Sequence, residues 1–336
     1  MKEKIFNIPD GTVIITKDMV PRDTTIAVIP KGVTEIGEDA FYDCTLLKSV
    51  VIPEGVTKIG EGAFCYCRSL KSVIIPKGVR EICMNAFYRC TLLKSVVIPE
   101  GVTKIGVGAF YHCTSLKAVV IPKGVREIST NTFYDCKSLK SIVISEGVTK
   151  IGVGAFCGCT SLNAIVIPKG VTEICEDAFL ACNSLEFVAI PKGVTKIGKS
   201  AFCGCKSLES AIIPKGVTEI CMNTFCGCTS LKAIVIPEGV TEIDVAAFLD
   251  CISLESVVIP EGVTKIGAGA FCGCTSLKAI VIPEGVTEIC EGAFEGCESL
   301  KSVVIPKGVT KICESAFCGC PHSIRYQISK LTIIHK

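Results

Sequence analysis

The feature that most constrains this chain is a repeat of fixed period. Ile29 recurs as Ile52, Ile75, Ile98, Ile121, Ile144, Ile167, Ile190, Ile213, Ile236, Ile259, Ile282 and Ile305, every step being 23 residues without insertion or deletion. Pro follows each of them except at Ser145. A Phe keeps the same phase from Phe41 to Phe317, and three residues on a Cys does so from Cys44 to Cys320. A strict internal period of this length marks stacked units, none of which can bury its apolar face alone. The 336 residues therefore predict one solenoid domain over 1–336, not the two globular domains that length alone suggests. The expected division is an N-terminal cap with a degenerate repeat at 1–28, thirteen in-phase repeats at 29–320, and a C-terminal cap at 321–336.

One unit can be read residue by residue. In Leu47–Ile52, alternation places Val50 and Ile52 on one face and Ser49 and Val51 on the other, as a strand requires. Pro53, lacking a backbone donor, ends the ladder. Ile52-Pro53-Glu54-Gly55 has Pro second and Gly fourth, the places a type I turn favours. Val56 to Ile59 is a second short β-prone run with Val56 and Ile59 inward. Gly60 to Phe64 is too short and too Gly-rich for a stable helix, so a turn or a single helical or 3₁₀ turn is expected to carry Ala63 and Phe64 inward. Cys67 and Leu70 close the coil. At the ends, Ile8-Pro9-Asp10-Gly11 echoes the turn while Thr24 stands where Leu is usual, and Ser323–Lys336 reads as a final strand pair.

Leu-x-x-Val-x-Ile-Pro, followed by Val-Thr-x-Ile-Gly and Ala-Phe-x-x-Cys on this period, resembles the BspA-like class of leucine-rich repeats over about residues 24–323. The resemblance implies an α/β repeat solenoid: a strand-dominated, right-handed leucine-rich-repeat superhelix. Its parallel sheet is concave, with short turns or single helical turns on the convex side. It also implies kinship with surface proteins that adhere to host proteins.

Charge narrows the partners. With 35 basic and 33 acidic residues the formal net charge is +2, which argues against nucleic acid, whose binders need a basic excess. No apolar run approaches the ~18–20 residues of a membrane span, so no membrane insertion is expected. Pro9, Asp10 and Gly11 interrupt the N-terminal stretch before a signal-peptide core forms. A cytoplasmic or non-classically exported protein is therefore expected, with the extracellular surface as the alternative.

The 24 cysteines fall in three columns. Thirteen are in phase from Cys44 to Cys320, and six follow Phe directly: Cys65, Cys157, Cys203, Cys226, Cys272 and Cys318. Five follow the inner Ile: Cys83, Cys175, Cys221, Cys290 and Cys313. The in-phase column is expected to be small buried hydrophobes whose thiols donate weakly to a neighbouring turn. Disulfides are the first alternative, because rows about 4.8 Å apart fall within the permitted Cα range. Zinc is the second, at the one place where two Cys-x-Cys motifs stack, Cys203/Cys205 over Cys226/Cys228, although Cys-x-Cys is not the usual ligand spacing. His112 beside Cys113 is a candidate Cys/His pair, but Cys113 belongs to the buried column. With no Walker loop, GxSxG elbow or HExxH, no catalytic residue, metal ligand or cofactor is expected.

Three further columns bear on partners. Glu35, Lys58, Glu81, Lys104, Glu127, Lys150, Glu173, Lys196 and Glu219 alternate in sign until Glu242 follows Glu219. Parallel pairing would set opposite charges side by side; duplication of unit pairs, visible as TLLKSVVIPEGVTKIG at Thr45 and again at Thr91, would leave the same pattern. Lys48, Lys71, Lys94, Lys117 and Lys140 instead stack like charges, in the half that carries Tyr42, Tyr88, Tyr111 and Tyr134 after the core Phe. Tyr with basic residues is a protein-binding composition. Val51, Ile74, Val97, Val120, Val143 and their successors to Val304 run out of phase with the core, and Phe187 stands where Ser or Ala is usual. An outward apolar row of that size marks a partner surface. The expected function is a non-catalytic scaffold that binds a protein partner through a rigid surface. The candidate contacts are Tyr42, Lys48, Lys71, Tyr88, Lys94, Tyr111, Lys117, Tyr134 and Lys140, together with Val120, Val143 and Phe187. A host-binding adhesin and a thiol-rich metal or redox protein are the alternatives.

Overall fold

The alternation of Leu47–Ile52 becomes the strand Ser49–Val51, with Ser49 and Val51 exposed and Val50 buried. The structure, a computed structural model, describes residues 3–331 and 334–335; the extremities of the two expected caps, at 1–2, 332–333 and 336, lie outside the described residues. The chain divides into two compact units, Met1–Gly170 and Val171–Lys336. Each is a parallel β-solenoid stack of the same coil, and helix is confined to the C-terminal end.

Two strands per coil carry the ladders. In the first unit Ser72, Val73 and Ile74 pair with Ser95, Val96 and Val97; in the second Ser210, Ala211 and Ile212 pair with Ala233, Ile234 and Val235. Both pairs are parallel and in register, so every residue type stacks on its equivalent 23 positions later. The short strand Lys58–Ile59 pairs in the same way with Glu35–Ile36 and with Glu81–Ile82. Val56, Ile59, Ala63, Phe64, Cys67 and Leu70 are all fully buried, which is the inward set the period predicts.

The turn after the long strand is shifted by one residue from the expected placement. Val56 N donates to Pro53 O at 3.1 Å, so Pro53 is the first residue of the closed turn, not the second. The turn uses the carbonyl, which proline retains, and not the N–H that proline lacks. Accordingly Ser145 serves equally well, accepting from Val148 N at 3.2 Å.

The segment around Phe64 is neither helix nor simple loop. Phe64 N donates to Ala86 O at 2.7 Å and Tyr66 N to Tyr88 O at 2.8 Å, giving the coil a third set of intercoil bonds. Gly62 and Tyr66 both adopt left-handed backbone, φ 57° and 62°, which turns alternate N–H groups toward the next coil. The Phe rings stack face to face, Phe64 on Phe87 at 5.2 Å and 4° in the first unit and Phe202 on Phe225 at 5.5 Å and 7° in the second.

The two ends differ in kind. At the N-terminal end a shortened coil pairs Ile5–Asn7 with Ile26–Val28, and Thr24 is buried in the place of Leu. At the C-terminal end the expected strand pair is replaced by a 3₁₀ turn, Glu314–Phe317, an α-helix, His322–Ser329, and one strand, Ile334–His335, on Lys311–Cys313. Ile324 and Ile328, four apart, bury one helix face, and Gln327 Nε2 donates to Val303 O at 3.0 Å. The helix thus covers the end of the long-strand ladder, while the short-strand ladder gains one more strand.

Candidate interaction surfaces

The residues beside the inward strand positions must face out, and they form apolar rows. In the first unit the row runs through Val28, Val51, Ile74, Val97, Val120, Val143 and Val166, with Val51 71% and Val166 76% exposed. In the second it comprises Ile212, Val235, Val258, Val281 and Val304. Phe187 lies on the same face of the second unit, one outward position before Ala189, and is 49% exposed. Its strand thus pairs a large side chain with a small one where others pair Ser or Ala with Val or Ile. In-register pairing fixes the backbone beneath Val28 and Val51, Ile74 and Val97, and Val120 and Val143 in the first unit, and beneath Ile212, Val235 and Val258, and Val281 and Val304, in the second.

Lys48, Lys71, Lys94, Lys117 and Lys140 precede the long strands of the first unit and are all exposed. Lys94 N donates to Lys71 O at 2.8 Å and Lys140 N to Lys117 O at 2.9 Å, so the backbones are stacked as the sequence implies. Among the described residues none of the five makes an ion pair. The same position in the second unit is self-neutralising: Lys232 pairs with Glu209 at 3.1 Å and Lys278 with Glu255 at 2.5 Å.

The alternating column does pair. Lys58 reaches Glu35 at 3.0 Å, Lys104 reaches Glu81 at 2.6 Å, and in the second unit Lys196 reaches Glu173 at 3.0 Å and Lys311 reaches Glu288 at 2.6 Å. Each Lys turns to the Glu of the coil before it, and the hydrogen bond it donates to that carboxylate raises its pKa. Exposed pairs of this kind are screened by solvent and contribute little to stability. Glu219 stands in register with Glu242, whose ion pair is with Lys265.

The tyrosines are brought together, and they include one the period does not reveal. Tyr42, Tyr66, Tyr88, Tyr111 and Tyr134 form a ribbon with ring separations of 5.8, 5.5, 4.9 and 4.7 Å. Tyr66 lies one residue out of phase, because Cys65 occupies the position after Phe64, yet its left-handed backbone brings the ring into line. No ring contact, ion pair or hydrogen bond among the described residues joins this ribbon to the lysine row. Its cations are Lys17 over Tyr42, Arg68 over Tyr66, and Arg89 over both Tyr66 and Tyr88, at 5.4 to 5.8 Å. All five tyrosines are half-buried; Tyr111 stacks on Tyr88 and Tyr134, whereas Tyr66 meets Tyr42 and Tyr88 edge-on. Contact with Cys157 and burial push the Tyr134 hydroxyl up to about 12.

The in-phase cysteines behave as the sequence predicts. Cys67 Sγ donates to Phe41 O at 3.2 Å, Cys90 to Phe64 O and Cys113 to Phe87 O at 3.1 Å, always to the Phe of the preceding coil. That carbonyl accepts a backbone bond from its own coil as well, as Cys67 N to Phe64 O shows. Burial holds the Cys67, Cys90, Cys113 and Cys136 thiols well above their ordinary range. The Cys113/His112 pair does not form: the thiol faces the core while His112 Nδ1 lies 3.3 Å from Asp135 Oδ2. The stacked Cys-x-Cys motifs also separate, because Cys205 and Cys228 donate inward to Phe179 O and Phe202 O. No group of three or more His, Cys, Asp or Glu suited to a metal ion occurs among the described residues. No helix among them is long and apolar enough to cross a membrane.

Parallel two-strand coils closed by a Phe–Cys turn, with outward rows of repeated side chains, define a leucine-rich-repeat solenoid. The model for the BspA type leucine rich repeat region, in six copies, matches residues 23–140, 81–209, 126–252 and 195–324, and the chain belongs to that family. A leucine-rich repeat protein from Bacteroides ovatus is 31% identical, with 88% of this chain and 85% of that one covered and a TM-score of 0.74. A leucine rich cell surface protein from Faecalibacterium prausnitzii is 32% identical over 88% of this chain and 77% of that one, with a TM-score of 0.49. The pneumococcal vaccine antigen PcpA, 18% identical over 96% of this chain and 79% of that one, shares the fold at a TM-score of 0.54. No curated protein matches the chain.

Proposed function

We propose that the chain is a non-catalytic scaffold that binds a protein partner on the outward strand face of the first unit. The apolar row from Val28 to Val166 carries this reading: one exposed β-branched residue per coil, with Val28 and Val51, Ile74 and Val97, and Val120 and Val143 paired in register. A contiguous apolar surface rimmed by polar side chains is what a partner buries. The lysine row, three residues before the outward apolar positions, supplies that rim, and its positive charge favours an acidic partner edge. A scaffold whose backbone is already ordered loses little entropy on binding. The tyrosine ribbon, with Tyr42, Tyr88, Tyr111 and Tyr134, is a second and separate edge. Phe187 is the bulkiest apolar contact offered by the strand face of the second unit.

The test is partner recovery from a lysate of the source cells. Val120→Asp/Val143→Asp and Lys71→Glu/Lys94→Glu are each compared with wild type and with Val107→Asp, an exposed apolar site on the Phe-bearing turn. Recovery is expected to fall at least about tenfold for the strand-face pair, the loss of about 1.4 kcal/mol or more, and to stay at the wild-type level for Val107→Asp. Unchanged recovery with both double variants removes the strand face from consideration.

A further inference from the structure

Cys203 and Cys226 occupy equivalent places on successive coils of the second unit, each directly after a core phenylalanine. The backbones are tied on both sides of the pair: Phe202 N donates to Thr224 O at 2.9 Å and Gly204 N to Cys226 O at 2.7 Å. Unlike Cys205 and Cys228, these two side chains leave the coil outward. Both are half-buried, and their equivalent places on hydrogen-bonded coils set them side by side. Elsewhere in this column a cysteine meets another residue type in the neighbouring coil, such as Tyr88 after Cys65 or Glu295 after Cys272, so this is its one stacked thiol pair.

We propose that Cys203 and Cys226 form a dithiol site that a low-molecular-weight disulfide oxidises to an intercoil cystine and a thiol reductant reopens. The Cys226 thiolate attacks one sulfur of the reagent, whose S–S bond breaks. One thiolate departs and a mixed disulfide stays on Cys226. Cys203 then gives its proton to solvent and attacks the Cys226 sulfur, expelling the second thiolate. The protein dithiol loses two electrons and two protons, and the reagent disulfide is reduced to two thiols.

The order of attack follows from the unlike influence of each thiol on the other. Cys203 is held well above its ordinary range by Cys226 and by burial, whereas the Cys203 thiol stabilises the Cys226 thiolate and draws that group down to about 7. A nucleophile with a pKa near ambient pH is close to the optimum for exchange. Reversibility follows from exposure. Both sulfurs lie at the surface, where a thiol reductant reaches them, and exposed bridges are the readily reduced ones.

The probe is oxidised glutathione added to the full chain at neutral pH, followed by alkylation, trypsin and mass spectrometry. The expected product is a cystine joining peptide 200–206 to peptide 216–232 through Cys203 and Cys226. It carries the mass loss of two hydrogens, releases two glutathione molecules and is reversed by dithiothreitol, while no intramolecular cystine forms at Cys272. In Cys203→Ser the cystine disappears and Cys226 accumulates as the glutathione adduct. Its alkylation midpoint also rises from about 7 toward an ordinary thiol value. The proposal is overturned if wild type keeps both thiols, if Cys226 stops at the adduct, or if the bridge uses Cys205 or Cys228.

Discussion

A β-carbon added to Gly108 would stand 2.5 Å from Asn85 Oδ1. Both residues are left-handed, at φ 61° and 53°, on successive coils. In the first unit this position reads Asp39, Gly62, Asn85, Gly108, Asn131, Gly154, so each polar side chain leans into space left by the glycine of the next coil. The two-coil alternation seen in the charges therefore has a steric counterpart, and the pair of coils is a packing unit.

Gly108→Ala is expected to destabilise the first unit by about 1–2 kcal/mol through left-handed strain, with a further cost from the clash with Asn85. In an Asn85→Gly background only the strain remains. Denaturant unfolding of the two single variants and the double variant should give a coupling of about 0.5–3 kcal/mol. Additive effects would show that the close approach is accommodated at no cost.

Ala246 sits at the same position in the second unit with φ 53° and no polar side chain to compensate. Relief of left-handed strain, about 1–2 kcal/mol, outweighs the added freedom of the unfolded chain, about 0.4–1 kcal/mol. Ala246→Gly should therefore raise the urea midpoint, and a lowered midpoint would contradict the strain assigned to this site.

Stability should fall at alkaline pH. Burial keeps the Cys67, Cys90, Cys113 and Cys136 thiols protonated in the folded chain. Unfolded, they ionise near pH ~8.5. The unfolded state then binds fewer protons, so the contribution is fully present below that pH and is lost as pH rises above it, at about 1.4 kcal/mol per thiol per pH unit. Urea midpoints should be level from pH 6 to 8 on this account and drop steeply beyond 9. Cys90→Ala/Cys113→Ala should flatten that drop, and a slope unchanged by the substitutions would remove the thiols as its cause.

The two faces of one strand predict opposite tolerances. Val120 is 55% exposed and Val119 3%. Val120→Asp is expected to cost about 1 kcal/mol or less, the span of strand preference. Val119→Asp buries an unpaired carboxylate and should cost more than about 4 kcal/mol. Circular dichroism and urea unfolding distinguish them; equal losses would mean that the side chains do not alternate as described.

Much of this was legible because a strict period fixes burial without any knowledge of the backbone path. Val56, Ile59, Phe64 and Cys67 are apolar in phase and are buried for that reason. What the period could not convey is backbone handedness. Tyr66 joins the tyrosine ribbon from a neighbouring place because its φ is positive, and the only hint was a Tyr beside the gap that Cys65 leaves. The same blindness hid the third set of intercoil bonds, since residues such as Tyr66 and Arg89 do not advertise a left-handed position. At the C-terminal end, Ser323–Ser329 alternates well enough to read as a strand. Pro321 and the four-residue spacing of Ile324 and Ile328 were the helical signal outweighed by that alternation. For the surfaces, periodicity located the lysine and valine rows but not which cations approach the tyrosines, because Lys17, Arg68 and Arg89 lie in three different phases.

The thiol column has a consequence for how such an array can begin. Every donor reaches backward, so the earliest in-phase member, Cys44, is buried with no acceptor for its thiol among the described residues. A hydroxyl stranded there would cost about 1–3 kcal/mol, whereas a thiol is a weak donor that goes unanswered at little expense. Sulfur thus lets the first full coil after the shortened N-terminal one keep the residue that every later coil carries, although no acceptor lies behind it.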